Sequence, residues 1–418
     1  MRRAHRQAWL LCWLLSAATA LSFLDRQVLS VLAPTLMSEL NMSNTVYSRI
    51  VSAFQLSYMV MFSVGGRLVD RLGVRVGMAV SVGIWSIASA AHAFARGPWS
   101  LGGARMLLGF GEGGCFPAAT KGAVEWFSRD QRTLAIGIAN GGAALGAVVA
   151  PPLTALVANR LGWRVAFLGT GLLGAVWLCA WLLASRGISH IASPKEQCGS
   201  AIILSHLLRD PVVLLVLAAR FLFDPVYYFY IFWIPQYLSR ERGFSLHQIG
   251  LYYWVPFLVQ GLSQIFSGSL TDAAVRRRSS PLRTRLVFLL AAAAITPVSW
   301  TASLAPSAEW AIGLMGALML AHGFWITNFL GVISDMFPEQ AIATITGLTG
   351  TAGGIGGIIS NLTIGFIVDH FSFGPVFAVS GILYPAGFFL IWQAERLHVH
   401  RNNGPEGTTI YPFRAEPN

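Results

Sequence analysis

Four ionisable residues stand inside long apolar runs: Asp25 and Arg26 side by side, Arg105, and Glu112. A charge at the centre of a bilayer costs at least ~2.5 kcal/mol unless it is paired or hydrated, so each of the four needs a partner or a task. On a helix, Arg105 and Glu112 point to one face about 10 Å apart, with Gly109 on that face between them. Counted from Trp9, Asp25 lies about 24 Å into the first apolar run, and Arg105, entering from the other side of the membrane, reaches a similar level. That depth pairs Asp25 with Arg105 as its charge partner. Arg26, turned about 100° from Asp25, and Glu112, deeper in, are left without an obvious partner. The alternative is a purely structural network tying the first and fourth spans together.

The elements that carry these residues follow from composition. Of the 418 residues, 55% are hydrophobic and 11% charged, which describes a polytopic helical membrane protein and excludes an ordinary soluble domain. The formal net charge of +11 does not indicate nucleic acid, because the arginines fall in short clusters between apolar runs, as topology signals do. Cys12, Cys115, Cys179 and Cys198 have no metal-ligand spacing and read as packing residues. Arg2 and Arg3 ahead of an apolar run reaching Ala18-Thr19-Ala20 imitate a signal peptide, but the run continues to Leu36, too long for one.

Apolar runs of roughly 20 residues or more give twelve spans. They cover 8–36, 45–67, 75–95, 98–121, 132–159, 163–186, 210–239, 246–272, 284–304, 308–331, 341–369 and 374–396. With the amino terminus inside, roughly three times as many lysines and arginines fall on the cytoplasmic side as on the other, so both termini are expected there. A shift of 210 residues lays Glu125-Trp126-Phe127-Ser128 on Asp335-Met336-Phe337-Pro338 and Gly137 on Gly347, which makes the chain two similar sets of six spans. The expected organisation is an amino-terminal half at 1–186, a cytoplasmic linker at 187–209, a carboxy-terminal half at 210–396 and a polar, disordered cytoplasmic tail at 397–418. This is the parallel-repeat plan of transporters whose site lies between the halves. No nucleotide-binding loop or catalytic constellation is present, so neither an enzyme nor an ATP-driven pump is indicated.

Between the second and third spans stands Gly66-Arg67-Leu68-Val69-Asp70-Arg71-Leu72-Gly73-Val74-Arg75, echoed by Gly268, Asp272 and Arg276. Glycines allow a tight turn, and Asp70 can pair with arginines or with a helix amino terminus. This loop resembles that of the major facilitator superfamily, where it serves as a gate latch, and the likeness assigns gating to Gly66, Asp70, Arg71 and Arg75. LDRQVLSVLAP at 24–34, RMLLGFGEGGCFPAATKGAVEWF at 105–127 and RFLFDPVYYFYIFWIPQYL at 220–238 resemble the anion:cation symporter branch, and most of all its hexuronate transporters, from about Trp9 to Trp392. The resemblance implies proton coupling at Asp25 and Glu112, a substrate carboxylate on Arg26, and Arg105 as the partner of Asp25. The sequence departs from the hexuronate pattern at Gln260-Gly261, His322-Gly323 and Arg220, which leaves the particular sugar acid open.

Charge bookkeeping gives a mechanism. Asp25, Arg26, Arg105 and Glu112 sum to zero when ionised, so a monoanion enters a dry site without excess charge only if a proton comes with it; Glu112 is the group expected to load and release that proton. Alternating access by rocking of the halves then moves both together. The expected partners are a small organic anion, protons and the lipid bilayer, in a cell inner membrane if the cell is bacterial, with the monomer functional and no cofactor or metal. Tyr58, Asn140, His322 and Asn361 are further candidates for substrate hydroxyls, each with a helix-bridging alternative. Arg220 and Asp224, one turn apart, are expected to neutralise each other. A proton-driven exporter, an anion exchanger or uniporter, and a transporter-like receptor are the rival readings.

Overall fold

The computed structural model describes residues 2–186, 204–277 and 280–402, and among them there is no strand. The first crossing is α1 (Arg2–Val31) continued by α2 (Ala33–Glu39), separated at Leu32 where Pro34 enters the first turn of α2. A proline is tolerated there because a first-turn N–H has no partner within the helix. The second and third crossings form one 49-residue helix, α3 (Asn44–His92), broken at Gly73, whose φ of 76° lies in the left-handed region that favours glycine. The loop motif is thus a turn made by a single residue.

The fourth crossing, expected as one run over 98–121, is two helices: α4 (Pro98–Glu112) and α5 (Cys115–Trp126). The break at Gly113-Gly114 leaves Glu112 at the last position of α4. The density of glycine here has a steric cause. A Cβ at Gly109 would overlap the Phe54 carbonyl in the first part of α3, and one at Gly111 would come within 2.6 Å of the Trp85 backbone nitrogen in its second part. Only a helix lacking side chains at those two positions fits between the two parts of α3.

Then follow α6 (Arg129–Leu161), α7 (Trp163–Ala184), the single turn α8 (Leu204–Leu207), α9 (Pro211–Phe232), α10 (Ile234–Arg240), α11 (Leu246–Tyr252), α12 (Val255–Arg277), α13 (Pro281–Ile295), α14 (Val298–Ser303), α15 (Ala308–Met336), α16 (Glu339–His370) and α17 (Gly374–Asn402). Taking α9 with α10, α11 with α12 and α13 with α14, these make the twelve crossings of an all-α membrane protein. Nine stretches among the described residues are singly long and apolar enough to cross a membrane. The three expected spans missing from those nine are 45–67, 98–121 and 246–272. The second of these is cut at Gly113-Gly114 and the third at Tyr253-Trp254, while the first carries Arg49, Gln55 and Arg67. Beyond Arg396, where a disordered tail is expected, α17 stays helical to Asn402, held by Arg401, whose Nη1 donates to Asp210 Oδ1 at 2.9 Å. Residues 187–203 of the expected linker and 403–418 of the expected tail lie outside the described residues.

By their contacts the residues fall into two units, one of Met1–Lys195, Tyr230–Trp254 and Asn361–His370, the other of Glu196–Phe229, Val255–Ser360 and Phe371–Asn418. In the first unit α1 is fastened to α6 by Thr19 Oγ1 donating to Ala139 O at 2.9 Å, and to α7 by Trp177 Nε1 donating to Leu14 O at 2.8 Å. The first part of α3 is bound to α9 and α16 through Tyr47 Oη donating to Phe232 O at 2.8 Å and through the four hydrogen bonds that Asp369 accepts from Asn44 and Thr45. Asp369 thereby caps the amino terminus of α3 from outside the helix. In the second unit Arg285 Nε meets Asp335 Oδ2 at 2.9 Å, joining α13 to α15, and Asn328 bonds both Thr271 and Ser267 of α12.

Candidate functional site

Arg26 and Asp25 leave α1 in different directions, and the site divides accordingly. Ser22 and Arg26, one turn apart, share the face toward α4. There the buried Glu112 Oε2 accepts from Arg26 Nε at 2.7 Å and from Ser22 Oγ at 2.8 Å. The Arg26 guanidinium carbon stands 4.2 Å from the centroid of the Tyr58 ring, 4.9 Å from that of Phe23 and 5.4 Å from that of Phe54. Aromatic faces stabilise a desolvated guanidinium without using its N–H groups. Arg26 Nη2 and Glu112 Oε1 have no hydrogen-bond partner among the described residues. One buried donor and one buried acceptor thus stay unused on either side of a single ion pair.

The expected pairing of Asp25 with Arg105 is not the one the structure makes. Arg105, fully buried, donates from Nη1 to Asp25 O at 3.2 Å and from Nη2 to Arg26 O at 2.7 Å. Its guanidinium binds the α1 backbone rather than the Asp25 carboxylate. Arg105 arrives at the level of Asp25, as counting along the helices predicts, but the Asp25 side chain is rotated away from it, toward the second part of α3 and α7. There Asp25 Oδ1 accepts from Ser89 Oγ at 2.6 Å, and Ser89 Oγ shares a 2.6 Å hydrogen bond with Thr170 Oγ1. Arg26 and Glu112, the two without an obvious partner in the sequence, partner each other.

Of the other candidates, Tyr58 lies on Arg26. Asn140 does not join this cluster: its Nδ2 donates to Thr120 Oγ1 at 3.3 Å and to Ile136 O at 3.2 Å, bridging α6 to α5. Asn361 Nδ2 donates to Gln55 Oε1 at 2.7 Å while its Oδ1 accepts from Trp233 Nε1 at 2.7 Å, a link within the first unit. His322 belongs to the second unit, where its Nδ1 shares a 2.5 Å hydrogen bond with Tyr384 Oη and its ring stacks on Tyr227 at 4.6 Å between centroids. Arg220 Nε meets Asp224 Oδ2 at 3.0 Å, as the one-turn spacing suggested, and Arg220 Nη1 also donates to Thr349 Oγ1 at 3.0 Å.

Two of the loop residues, Asp70 and Arg75, are tied to neighbouring segments of the first unit. Asp70 Oδ1 accepts from Lys121 Nζ of α5 at 2.7 Å, Arg75 Nε donates to Ser185 Oγ at 3.2 Å, and Arg71 is exposed. Among the described residues a Cβ at Gly66 would meet Pro117 at ordinary contact distance, 4.0 Å. Ser22, Ser89, Thr170 and Lys121 were missed in the sequence. Ser22 could have been found from its one-turn spacing to Arg26, whereas single hydroxyls such as Ser89 and Thr170 carry no periodic signal. Among the described residues no group of histidines, cysteines and carboxylates could hold a metal ion.

Comparison with known proteins gives this arrangement a setting. The chain is 30% identical over 411 residues to the hexuronate transporter of Escherichia coli (strain K12), covering 94% of this chain and 95% of that one. It is 32% identical over 276 residues to the galacturonate transporter of Dickeya chrysanthemi, covering 62% of this chain and 80% of the relative. The fold is similar to the crystal structure of D-xylose-proton symporter, with a TM-score of 0.71 at 15% identity over 92% of this chain and 97% of that chain. A family model described as Major Facilitator Superfamily matches residues 15–361. A helical multi-pass chain with paired charges buried in its first unit, matched in this way over nearly its whole length, belongs to the major facilitator superfamily of membrane transporters.

Proposed function

We propose that the protein is a proton-coupled symporter that carries a small organic anion, a sugar acid such as a hexuronate, into the cell by alternating access. The observation that carries this reading is the half-used ion pair of Arg26 and Glu112. A substrate carboxylate binds a guanidinium best as a two-pronged acceptor, and the fork of Arg26 offers Nη2 freely but Nε only if Glu112 lets go. An ionised Glu112 beside a second carboxylate is a like-charge pair in a dry site, which a proton on Glu112 relieves. Anion and proton therefore load together, and the four-charge cluster is neutral both empty and fully loaded. Either neutral state can reorient, while anion or proton alone leaves an unbalanced buried charge.

The relatives that transport hexuronates and galacturonate point to a sugar acid as cargo. Uptake of labelled D-galacturonate into proteoliposomes is the test of the substrate class. It should be competed by D-glucuronate and left unaffected by D-galactose, which has the hydroxyls without the carboxylate. Competition by galactose as strong as by glucuronate would remove the carboxylate from recognition.

The protein works as a monomer in the cell membrane, the inner membrane in a bacterium, with a cytoplasmic linker and both termini cytoplasmic. A cysteine-labelling map should place residues 276–285 and the carboxy terminus on the cytoplasmic side and residues 240–245 outside. Labelling of 240–245 and 276–285 from the same side would break the twelve-span orientation.

A further inference from the structure

Asp25 is held by two hydroxyls whose geometry accommodates either of its protonation states. Ser89 Oγ lies 2.6 Å from Asp25 Oδ1, Thr170 Oγ1 lies 2.6 Å from Ser89 Oγ, and Thr170 Oγ1 lies 3.1 Å from the carbonyl oxygen of Phe167. Each hydroxyl has one proton to give and can accept in return. When Asp25 is ionised, Ser89 donates to the carboxylate and Thr170 donates to Ser89. When Asp25 gains a proton, the carboxyl donates to Ser89, Ser89 to Thr170, and Thr170 to the Phe167 carbonyl. Every donor finds an acceptor in both orders, so the chain can reverse without leaving an unpaired O–H. Such a reversal is costly in a dry interior unless the far end has an acceptor, and the Phe167 carbonyl supplies it.

We propose that Ser89 and Thr170 are positioning residues that form a reversible hydroxyl chain on Asp25 and set the pH at which Asp25 exchanges its proton, apart from the Arg26–Glu112 pair that meets the substrate. This rests on the proton coupling proposed above, where Glu112 loads the proton that accompanies the anion, and adds Asp25 as a second group that exchanges one. All three residues are buried, Asp25 on α1, Ser89 on the second part of α3 and Thr170 on α7. The charged and titratable groups around Asp25 are Arg26 on its own helix, Glu112 and Arg105 on α4, and His92 on α3. His92 sits one turn from Ser89 with Nδ1 2.7 Å from Ala88 O and its ring stacked on Phe167. From α7 come Thr170, which reaches Ser89, and Phe167, whose ring stacks on His92.

The test is an infrared pH titration of the purified protein in liposomes, following the protonated-carboxyl band that disappears in Asp25→Asn. Hydrogen bonds to an ionised acceptor are stronger than those to a neutral one, so removing a hydroxyl weakens the ionised form more and moves the midpoint to higher pH. Ser89→Ala should shift it by about one pH unit and Thr170→Val by about half a unit. Thr170→Ser, which keeps the hydroxyl, should restore the wild-type midpoint, a recovery that loss of packing volume alone would not give. An unchanged midpoint in Thr170→Val, or one displaced equally in Thr170→Ser, overturns the proposal, as does the absence of any Asp25-dependent band. Labelled D-galacturonate uptake in the same liposomes tests the coupling separately. Uptake indifferent to an imposed pH gradient in the wild type defeats proton symport even if the band moves as stated; gradient-driven uptake with a fixed midpoint defeats the hydroxyl chain alone.

Discussion

Glu112→Gln is expected to bind and exchange galacturonate while losing accumulation driven by a pH gradient. The substitution keeps the shape and hydrogen-bonding reach of the side chain at 2.7 Å from Arg26 Nε but removes both its charge and its proton. Loaded with an anion, the mutant site is neutral, as the protonated wild-type site would be, so the loaded carrier can still rock. Emptied, it holds Arg26 with no counter-charge from Glu112. Stripping one partner from a buried ion pair costs about 3–5 kcal/mol, which slows return of the empty carrier by a factor of roughly a hundred or more. Counterflow of labelled for unlabelled galacturonate avoids that step and should survive, whereas net uptake should fall to near background. Accumulation equal to the wild type would make Glu112 a packing residue.

The second large effect falls on Arg26. Arg26→Lys keeps a positive charge but offers a compact ammonium in place of the planar fork, and a lysine cannot hold Glu112 and a substrate carboxylate in the same two-pronged geometry. Galacturonate affinity should drop by roughly tenfold. Arg26→Ala should abolish binding and also destabilise the protein, because Glu112 would then be a buried carboxylate with Ser22 as its remaining hydrogen-bond donor. Adding Glu112→Gln to Arg26→Ala should recover thermal stability without recovering binding, separating the structural cost of the stranded charge from the loss of recognition. Wild-type uptake in both Arg26→Lys and Arg26→Ala would take Arg26 out of the substrate site.

The parts of this site that could be read from the sequence are those where a residue type contradicts its surroundings. Asp25, Arg26, Arg105 and Glu112 stand out because a charge is rare in an apolar run, and their depth follows from counting residues along a helix. Their partners did not follow, because depth leaves the rotation of one helix against another undetermined. The Asp25 carboxylate turned to Ser89 while its carbonyl took Arg105, a division that counting along the chain does not reveal. Gly73 was legible as a turn. The break after Glu112 was not, since glycine in a membrane helix signals close packing as often as interruption, and at Gly109 and Gly111 it does mean packing. Asn140 and Asn361 stand out in the sequence only as polar residues in spans, which does not show that the amide nitrogen of each is bonded to a neighbouring side chain. The placement of Tyr230–Trp254 and Asn361–His370 with the first unit depends on contacts such as Tyr47 with Phe232 and Gln55 with Asn361, distant in sequence and without a local motif.

The most direct test of coupling through the Arg26–Glu112 pair is to record external pH while galacturonate is added to lightly buffered proteoliposomes with no imposed gradient. The wild type should alkalinise the medium in step with entry of the labelled anion, at least one proton for each galacturonate, and Glu112→Gln should show no such alkalinisation while still exchanging label. Galacturonate entry into wild-type vesicles without any change in external pH would contradict the account.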